Sequence, residues 1–566
     1  MLSSTVDVHL DLTDPGEQSI KVTVRWTPTT HRQVLQFPSW TPGSYTLRDP
    51  VQHLHSLCLT SAAGPIACRR LAPNRWLVDL QDLAALELAY VIEARDLTVR
   101  TAHLDPDFAA VSLAAVVMEL EGCRWMHHRL AVTAPAAWSV HCPLVRDGDE
   151  WIADDFDDLI DSPVHAGPYR IEPFEVQGFQ HELLLMGEPP GGWPPALRAD
   201  VERICDAVCR LMQTPPPAGH RYQLVIQMLD SGYGGLEHDH SAVLQYCWSA
   251  LARPEGYRQL LQLVGHEYLH QWNVRRLRPR EFRPYDYGQP VVSEGLWFAE
   301  GITSYYDLTF PLLAGLTDRP TLVKDLGDEL SRVLTTPGRR IQSLAASAEE
   351  AWVKLYKSSA VSPDSQISYY RLGAAAAFCL DVRLRLLGSS LATQVRGLWM
   401  THGRTARGFH RGDLTALLKP LDPGLVDDLH HWLDVPDALP IQECVACLGG
   451  RLEPVPSAEP NHGLTVSAVD GRTVIRRVAR GSAGRTAALV PGDELIAIDG
   501  RRVQEPSDLS LLLQTGKPAL ITYARRRCLA ETRLIPDEGV DRFSLSWDPG
   551  ASSEQRALRD QWFRFL

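Results

Sequence analysis

The sequence predicts a multidomain α+β protein, on three observations. Up to about residue 170, apolar and polar side chains alternate at period two. From about 190 to 435, apolar residues recur at helical spacing. Near 450, short apolar runs and glycine-rich turns take over. At roughly 100–200 residues per domain, a chain of 566 residues holds several.

The first region contains "VDVHLDL", "SIKVTVRW", "VLQFPSW", "RWLVDL" and "LELAYVIEA". Asp14-Pro15-Gly16 and Pro42-Gly43 punctuate it as turns. This predicts an N-terminal β-sandwich-like domain over 1–170. In the second region "ALRADVERICDAVCRLM" has helical spacing and is closed by prolines 215–217, "YQLVIQML" is a strand, and "LQLVGHEYLHQWN" and "EGLWFAEGITSYYDLTF" are helical. We assign 171–310 to an α+β domain and 311–448 to an α-helical part of the same region. The third region, 449–540, has short strands and one short helix, and the tail 541–566 is predicted helical. The apolar run 372–384 is short and broken by Asp381 and Arg383, so it is a core helix.

Bulk composition excludes several classes. The hydrophobic share of 45% and charged share of 22% are those of a soluble globular protein. The net charge of −13, from 56 basic and 69 acidic residues, lacks the clustered positive footprint of a nucleic-acid binder. The 11 cysteines are scattered and odd in number, which fits thiols in a reducing compartment rather than a disulfide scaffold. Cys444 and Cys447 form a lone CxxC, read as structural. No apolar window is long enough to span a membrane, and "MLSSTVDVHLDLTD" lacks a signal-peptide pattern. The expectation is cytoplasmic, or periplasmic or secreted if a leader has been removed, with neither nucleic acid nor membrane as partner.

The chemistry centres on "HEYLH", residues 266–270. Residues four apart on a helix lie about 40° apart around its axis, so His266 and His270 point the same way and can share one cation. Glu267 stands next to the pair. This is HExxH, in which two imidazoles hold zinc and the carboxylate acts as general base. A catalytic zinc takes three protein ligands and keeps one position open. Glu300, in the apolar "LWFAEGITSYY", is the expected third ligand, because a carboxylate buried there without a cation is costly. Glu294 in "SEGLW" is the competing choice. His238, Asp239 and His240 do not form a second metal site, since one strand cannot aim all three at one cation. Trp272, Asn273 and Arg276 are read as packing or supporting residues.

"GHEYLHQWNVRRLRPREFRPYDY" and "LWFAEGITSYY" resemble the glycyl aminopeptidase family, zinc metallopeptidases of the thermolysin-like gluzincin kind. "SWTPGSYTLRDPVQHL" (39–54) is similar to that family's N-terminal β-domain motif, and "YGGLEHDHS" (233–241) to its substrate-recognition strand. The resemblance covers nearly the whole chain. It implies a thermolysin-like catalytic domain with an α-helical subdomain and one zinc per chain. It implies that Glu237 binds the free α-amine of a peptide, and that Gly234 and Gly235 let backbone approach the substrate. It also implies that Tyr370, in "SYYRLG", donates to the oxyanion, with Tyr369 as the alternative. Leu372 stands where the family usually has lysine.

"SAGRTAALVPGDELIAIDGRRV" (482–503) resembles a PDZ domain, which would make 449–540 a C-terminal PDZ domain. In "HGLTVS", Gly463, Leu464 and Thr465 would then form the carboxylate-binding loop and the peptide-accepting edge strand for a C-terminal peptide ligand. The expected activity is a zinc-dependent aminopeptidase acting on peptides with a free N-terminus. Preference for small first residues, Gly or Ala, comes from the resemblance alone. Two alternatives stand beside it: a zinc endopeptidase with PDZ-guided substrate choice, and a PDZ-based peptide-binding protein with weak activity.

Overall fold

A computed structural model describes residues 5–219 and 221–565. The chain divides into two compact units. The first takes residues up to Val292 together with Thr309–Leu316 and Val395–Asp413. The second takes Ser293–Leu308, Thr317–Gln394 and Leu414–Leu566.

The first unit opens with a β-rich region whose largest sheet has eight strands. Thr5–Asp11 runs parallel to His127–Thr133 and antiparallel to Ser19–Trp26. The period-two pattern is read out directly: Val6, Val8 and Leu10, then Ile20, Val22 and Val24, are all buried. Two four-stranded sheets complete this region. A five-stranded sheet follows, in the order Arg170–Val176, Phe179–Met186, Arg221–Leu229, Ser241–Cys247, Tyr233–Glu237. Its three central strands are mutually parallel. Arg221–Leu229 lies mid-sheet and is buried from Tyr222 to Met228, as a strand covered on both faces must be. Tyr233–Glu237 is an edge strand, paired with Ser241–Cys247.

Helices Leu197–Met212 and Gly256–Leu269 pack together, and the second lies against strands Tyr233–Glu237 and Ser241–Cys247. Gly265 is required there: a Cβ at that position would come 2.6 Å from Cδ2 of Phe310, in the 309–316 segment of the same unit. The helical pattern expected over 261–273 ends sooner than its periodicity implies. Leu269 is the last helical residue and His270 is the C-cap, still with helical dihedrals (φ −61, ψ −17). His270 thus keeps the i+4 geometry while the chain turns away behind it.

The second unit is largely helical around Tyr369–Leu386, the predicted core helix. The expected helix through "LWFAEGITSYY" forms with one difference. Trp297–Gly301 is a wider π-helical turn, continued by α-helix Ile302–Asp307. Such turns recur at functional sites, since the extra residue re-aims side chains. Here the π-turn contains Glu300. It crosses Tyr369–Leu386 at two glycines, where a Cβ on Gly301 would lie 2.5 Å from Cα of Gly373.

Asp381, which interrupts the apolar pattern of that helix, is fully buried. It accepts hydrogen bonds from the Tyr305 hydroxyl (2.8 Å), Arg385 Nε (3.1 Å) and the Leu391 amide (2.8 Å). Trp562 Nε1 in turn donates to the Tyr305 hydroxyl (2.8 Å). The C-terminal helix Ser553–Trp562 therefore braces the helix that follows Glu300. The tail 541–566, expected to be helical, forms helix Ser553–Trp562, but that helix is preceded by strand Val540–Trp547, paired antiparallel with Gly450–Pro456. Five of that strand's eight residues are exposed and its partner lies some ninety residues upstream, so its short alternation carries little signal.

Residues 464–534 form a six-stranded antiparallel sheet with its own core of Ile475, Leu489, Leu495, Ile498, Ile521 and Leu534. Leu464–Val469 is an edge strand. Gly463, immediately before it, has φ +69, and a Cβ there would lie 2.1 Å from Cβ of Ser482, the N-cap of the short helix Ala483–Thr486. Among the described residues, no helix is long and apolar enough to cross a membrane.

Candidate active site

Helix Gly256–Leu269 presents His266, Glu267 and His270 in its last turn. The two imidazole rings have centroids 4.7 Å apart and stand at 85° to one another. The Nδ1 of His270 lies 2.6 Å from the Asn273 carbonyl, which can only accept, so the proton is on Nδ1 and Nε2 keeps its lone pair for a metal. The turn that ends the helix is what supplies this carbonyl. Asn273, read from sequence only as a supporting residue, thereby fixes the tautomer of one candidate ligand.

His266, His270 and Glu300 are one group of residues that could hold a metal ion. His270 is 1% exposed and Glu300 2%. Two imidazoles and one carboxylate, with no cysteine among them, are the donor set of a catalytic zinc rather than a closed structural one. The residues present fit that ion.

Within the first unit, Glu237, Glu267 and His270 form a second group, with one ligand atom from each inside 4.8 Å of the others. Glu237 closes the edge strand, is 4% exposed, and its Oε1 meets no hydrogen-bond donor among the described residues. Glu267 is equally buried. Gly235 faces it so closely that a Cβ there would sit 2.0 Å from Glu267 Oε1. Gly234 has more room, its nearest neighbour being Arg100 Nη1 at 4.0 Å.

The strand end behind Glu237 is held by an ionic network invisible in the sequence. Asp161 accepts from the Asp239 amide (2.7 Å), pairs with Arg275 Nη2 (2.8 Å) and meets His238 Nδ1 (3.1 Å). Arg275 Nε also donates to Asp239 (3.0 Å). Burial raises the pKa of the Asp239 carboxyl, but the guanidiniums of Arg275, Arg276 and Arg278 outweigh it and keep the group well below the usual carboxylate range. Asp239 and the Nδ1 side of His238 thus help to hold the strand. Trp272 Nε1 donates to Thr214 (2.7 Å), and Arg276 Nη2 to the Asp239 carbonyl (3.1 Å).

In the second unit Tyr370 is the second residue of helix Tyr369–Leu386 and stacks on Tyr369 at 4.7 Å. Its hydroxyl lies 3.0 Å from that of Tyr356, which also reaches the Tyr369 hydroxyl at 3.1 Å. Removal from water raises the Tyr370 pKa, and the Glu300 charge and the two neighbouring tyrosines raise it further. The hydroxyl is therefore a donor throughout the neutral range. Tyr356 was missed by sequence reasoning. It lies fourteen positions before Tyr370 in the single 3-10 turn Leu355–Lys357, too short to give a periodic signal.

A model of the M61 peptidase N-terminal domain matches residues 7–168, and one of the M61 glycyl aminopeptidase matches 259–376. Among curated proteins none matches. A crystal structure of an aminopeptidase N family protein from Idiomarina loihiensis is similar over 99% of this chain and 100% of that one, with a TM-score of 0.90 and 28% identity. A variant M1 zinc metallopeptidase from Deinococcus radiodurans, bound to a Tyr-Ser-Ala substrate, covers 77% of this chain and 94% of its own, with a TM-score of 0.50 and 14% identity. That second likeness concerns the fold alone. With peptidase models matching both segments, a similar aminopeptidase structure along the whole chain and a donor set suited to zinc, the chain is a zinc metallopeptidase of the aminopeptidase kind.

Proposed function

We propose that the enzyme removes the N-terminal residue from peptides that carry a free α-amine, with small first residues, Gly or Ala, preferred. The observation that carries the reading is Glu237, a buried carboxylate beside Glu267 and His270 with one oxygen that meets no donor. A substrate ammonium placed there satisfies that oxygen and sets the first peptide bond against Glu267. A blocked amine leaves the carboxylate buried and unpaired, which strongly disfavours it. The preference for Gly and Ala rests on family likeness.

Zinc, held by His266, His270 and Glu300, would lower the pKa of a water and polarise the scissile carbonyl. Glu267 takes a proton from the attacking water as its oxygen bonds to the carbonyl carbon, then delivers it to the amine as the carbon–nitrogen bond breaks. The Tyr370 hydroxyl donates to the oxygen that gains charge. Replacing Tyr370 by Phe should lower kcat by about 10²–10³-fold with KM little changed. Steady-state kinetics on alanyl p-nitroanilide measure this, and an unchanged kcat would remove Tyr370 from the mechanism.

The reading is tested with glycyl and alanyl p-nitroanilides and their N-acetyl forms. The free-amine compounds should be cut, a chelator should abolish the activity, and the acetylated compounds should survive. Cleavage of acetylated peptides would instead mark an endopeptidase.

We further propose that 449–540 is a PDZ domain binding a peptide C-terminus beside Gly463, Leu464 and Thr465. The support is the position of Leu464–Val469 at the edge of its sheet and the left-handed Gly463 before it. Peptides with a free C-terminal carboxylate should bind the full-length protein more tightly than their amides in a fluorescence titration. Equal affinity would argue against the carboxylate loop.

A further inference from the structure

We infer that the loop around Gly43, in the N-terminal β-rich region, walls off the amine subsite, and that Gly43 is a specificity-determining residue restricting the enzyme to primary amines. The inference rests on the reading of Glu237 as the partner of the substrate amine.

The geometry is direct. A Cβ on Gly43 would lie 2.6 and 2.8 Å from the two carboxylate oxygens of Glu237, and 2.5 Å from Cδ1 of Leu236. The α-carbon of Gly43 is therefore in contact with the carboxylate. Its φ of +80 places it in the left-handed region, where glycine alone is at ease. A glycine is demanded twice here, by conformation and by space.

The loop is not free to retreat. Thr41, Ser44 and Tyr45 are buried. Trp40 Nε1 donates to the Asp286 carbonyl (2.7 Å), the Ser39 amide to the Tyr287 carbonyl (2.8 Å), and Arg48 Nε to the Ser44 hydroxyl (2.9 Å). Trp40 also packs edge-on against Phe282 and Tyr285. The edge strand is held as well, since Arg100 Nη2 donates to the Gly235 carbonyl (3.0 Å). An ammonium on Glu237 thus has a fixed glycine backbone beside it. An atom added to the nitrogen and directed at the loop meets the backbone of Gly43.

Charge and size are separated by methylating the amine. N-methylalanyl p-nitroanilide keeps the positive charge and adds one carbon, whereas acetylalanyl p-nitroanilide loses the charge. On the unmodified enzyme, kcat/KM for the N-methyl compound should fall roughly 10–100-fold below the alanyl compound. If the N-methyl compound is cut as fast as the alanyl one while the acetyl compound is not cut, the wall is overturned and the amine pairing stands. If the acetyl compound is cut as fast as the alanyl one, the amine reading fails and the wall with it. Gly43→Ala should raise KM for alanyl p-nitroanilide by about tenfold, with kcat changed less. An unchanged KM would overturn the inference. Should that variant not fold, the substrate series on the native chain decides.

Discussion

Glu267→Gln is expected to lower kcat on alanyl p-nitroanilide by about 10³-fold while leaving one zinc per chain, within the 10²–10⁴ that a general base contributes. The exchange keeps shape and volume and removes only the ability to take a proton. It is a fair test because the side chain is closely enclosed. Glu267 is 4% exposed and lies against the α-carbon of Gly235, so the amide should occupy the carboxylate's place. Metal analysis and steady-state kinetics on the same sample separate the two readouts. Near-normal turnover would remove Glu267 from the reaction. The companion substitution His266→Ala should do the opposite and lose the metal along with the activity. Stoichiometric zinc in that variant would take His266 out of the ligand set.

Much of this site was legible because its signals are local. HExxH is spaced by a helix, and a helix can be read from one turn of sequence. The apolar run around Glu300 marks a buried acid, and burial without a partner is costly enough to imply a cation. What the sequence hid is long-range. Glu237 and Glu267 are thirty residues apart, and only the packing of an edge strand on a helix makes them neighbours. The Asp161–Arg275 pair spans more than a hundred residues. Asp381 looked like a flaw in a core helix and is instead the acceptor for Tyr305, Arg385 and Leu391. Strand Val540–Trp547 escaped because its burial is shallow and its partner distant.

Glycines mark the same boundary between local and long-range information. Gly234 and Gly235 carry the same expectation in the sequence, that backbone can approach a substrate. Their surroundings differ. Gly234 meets only the tip of Arg100 at 4.0 Å, whereas Gly235 is pressed against a candidate catalytic carboxylate. Glycine is read from sequence as conformational freedom, yet at Gly235 the scarce quantity is space, and space depends on what folds back onto the strand.

This makes Gly235→Ala the second substitution of large expected effect. Gly235 is absent from the positive-φ glycines, so alanine introduces no backbone strain of that kind. The added methyl would stand 2.0, 2.2 and 2.6 Å from Oε1, Cδ and Cγ of Glu267, closer than nonbonded atoms approach, so the carboxylate or the strand must move. Overpacking of this sort costs about 1–3 kcal/mol of stability. A misplacement of roughly 1 Å at a reacting group costs about 10²-fold in rate. The expected result is a fall in kcat/KM of at least about 10²-fold, with zinc retained and a modestly lowered unfolding midpoint. The metal measurement gives the test its meaning, because it separates displacement of Glu267 from collapse of the helix that bears His266 and His270. Full activity in Gly235→Ala would mean that the edge strand yields without disturbing Glu267, and the tight packing described for this site would be wrong.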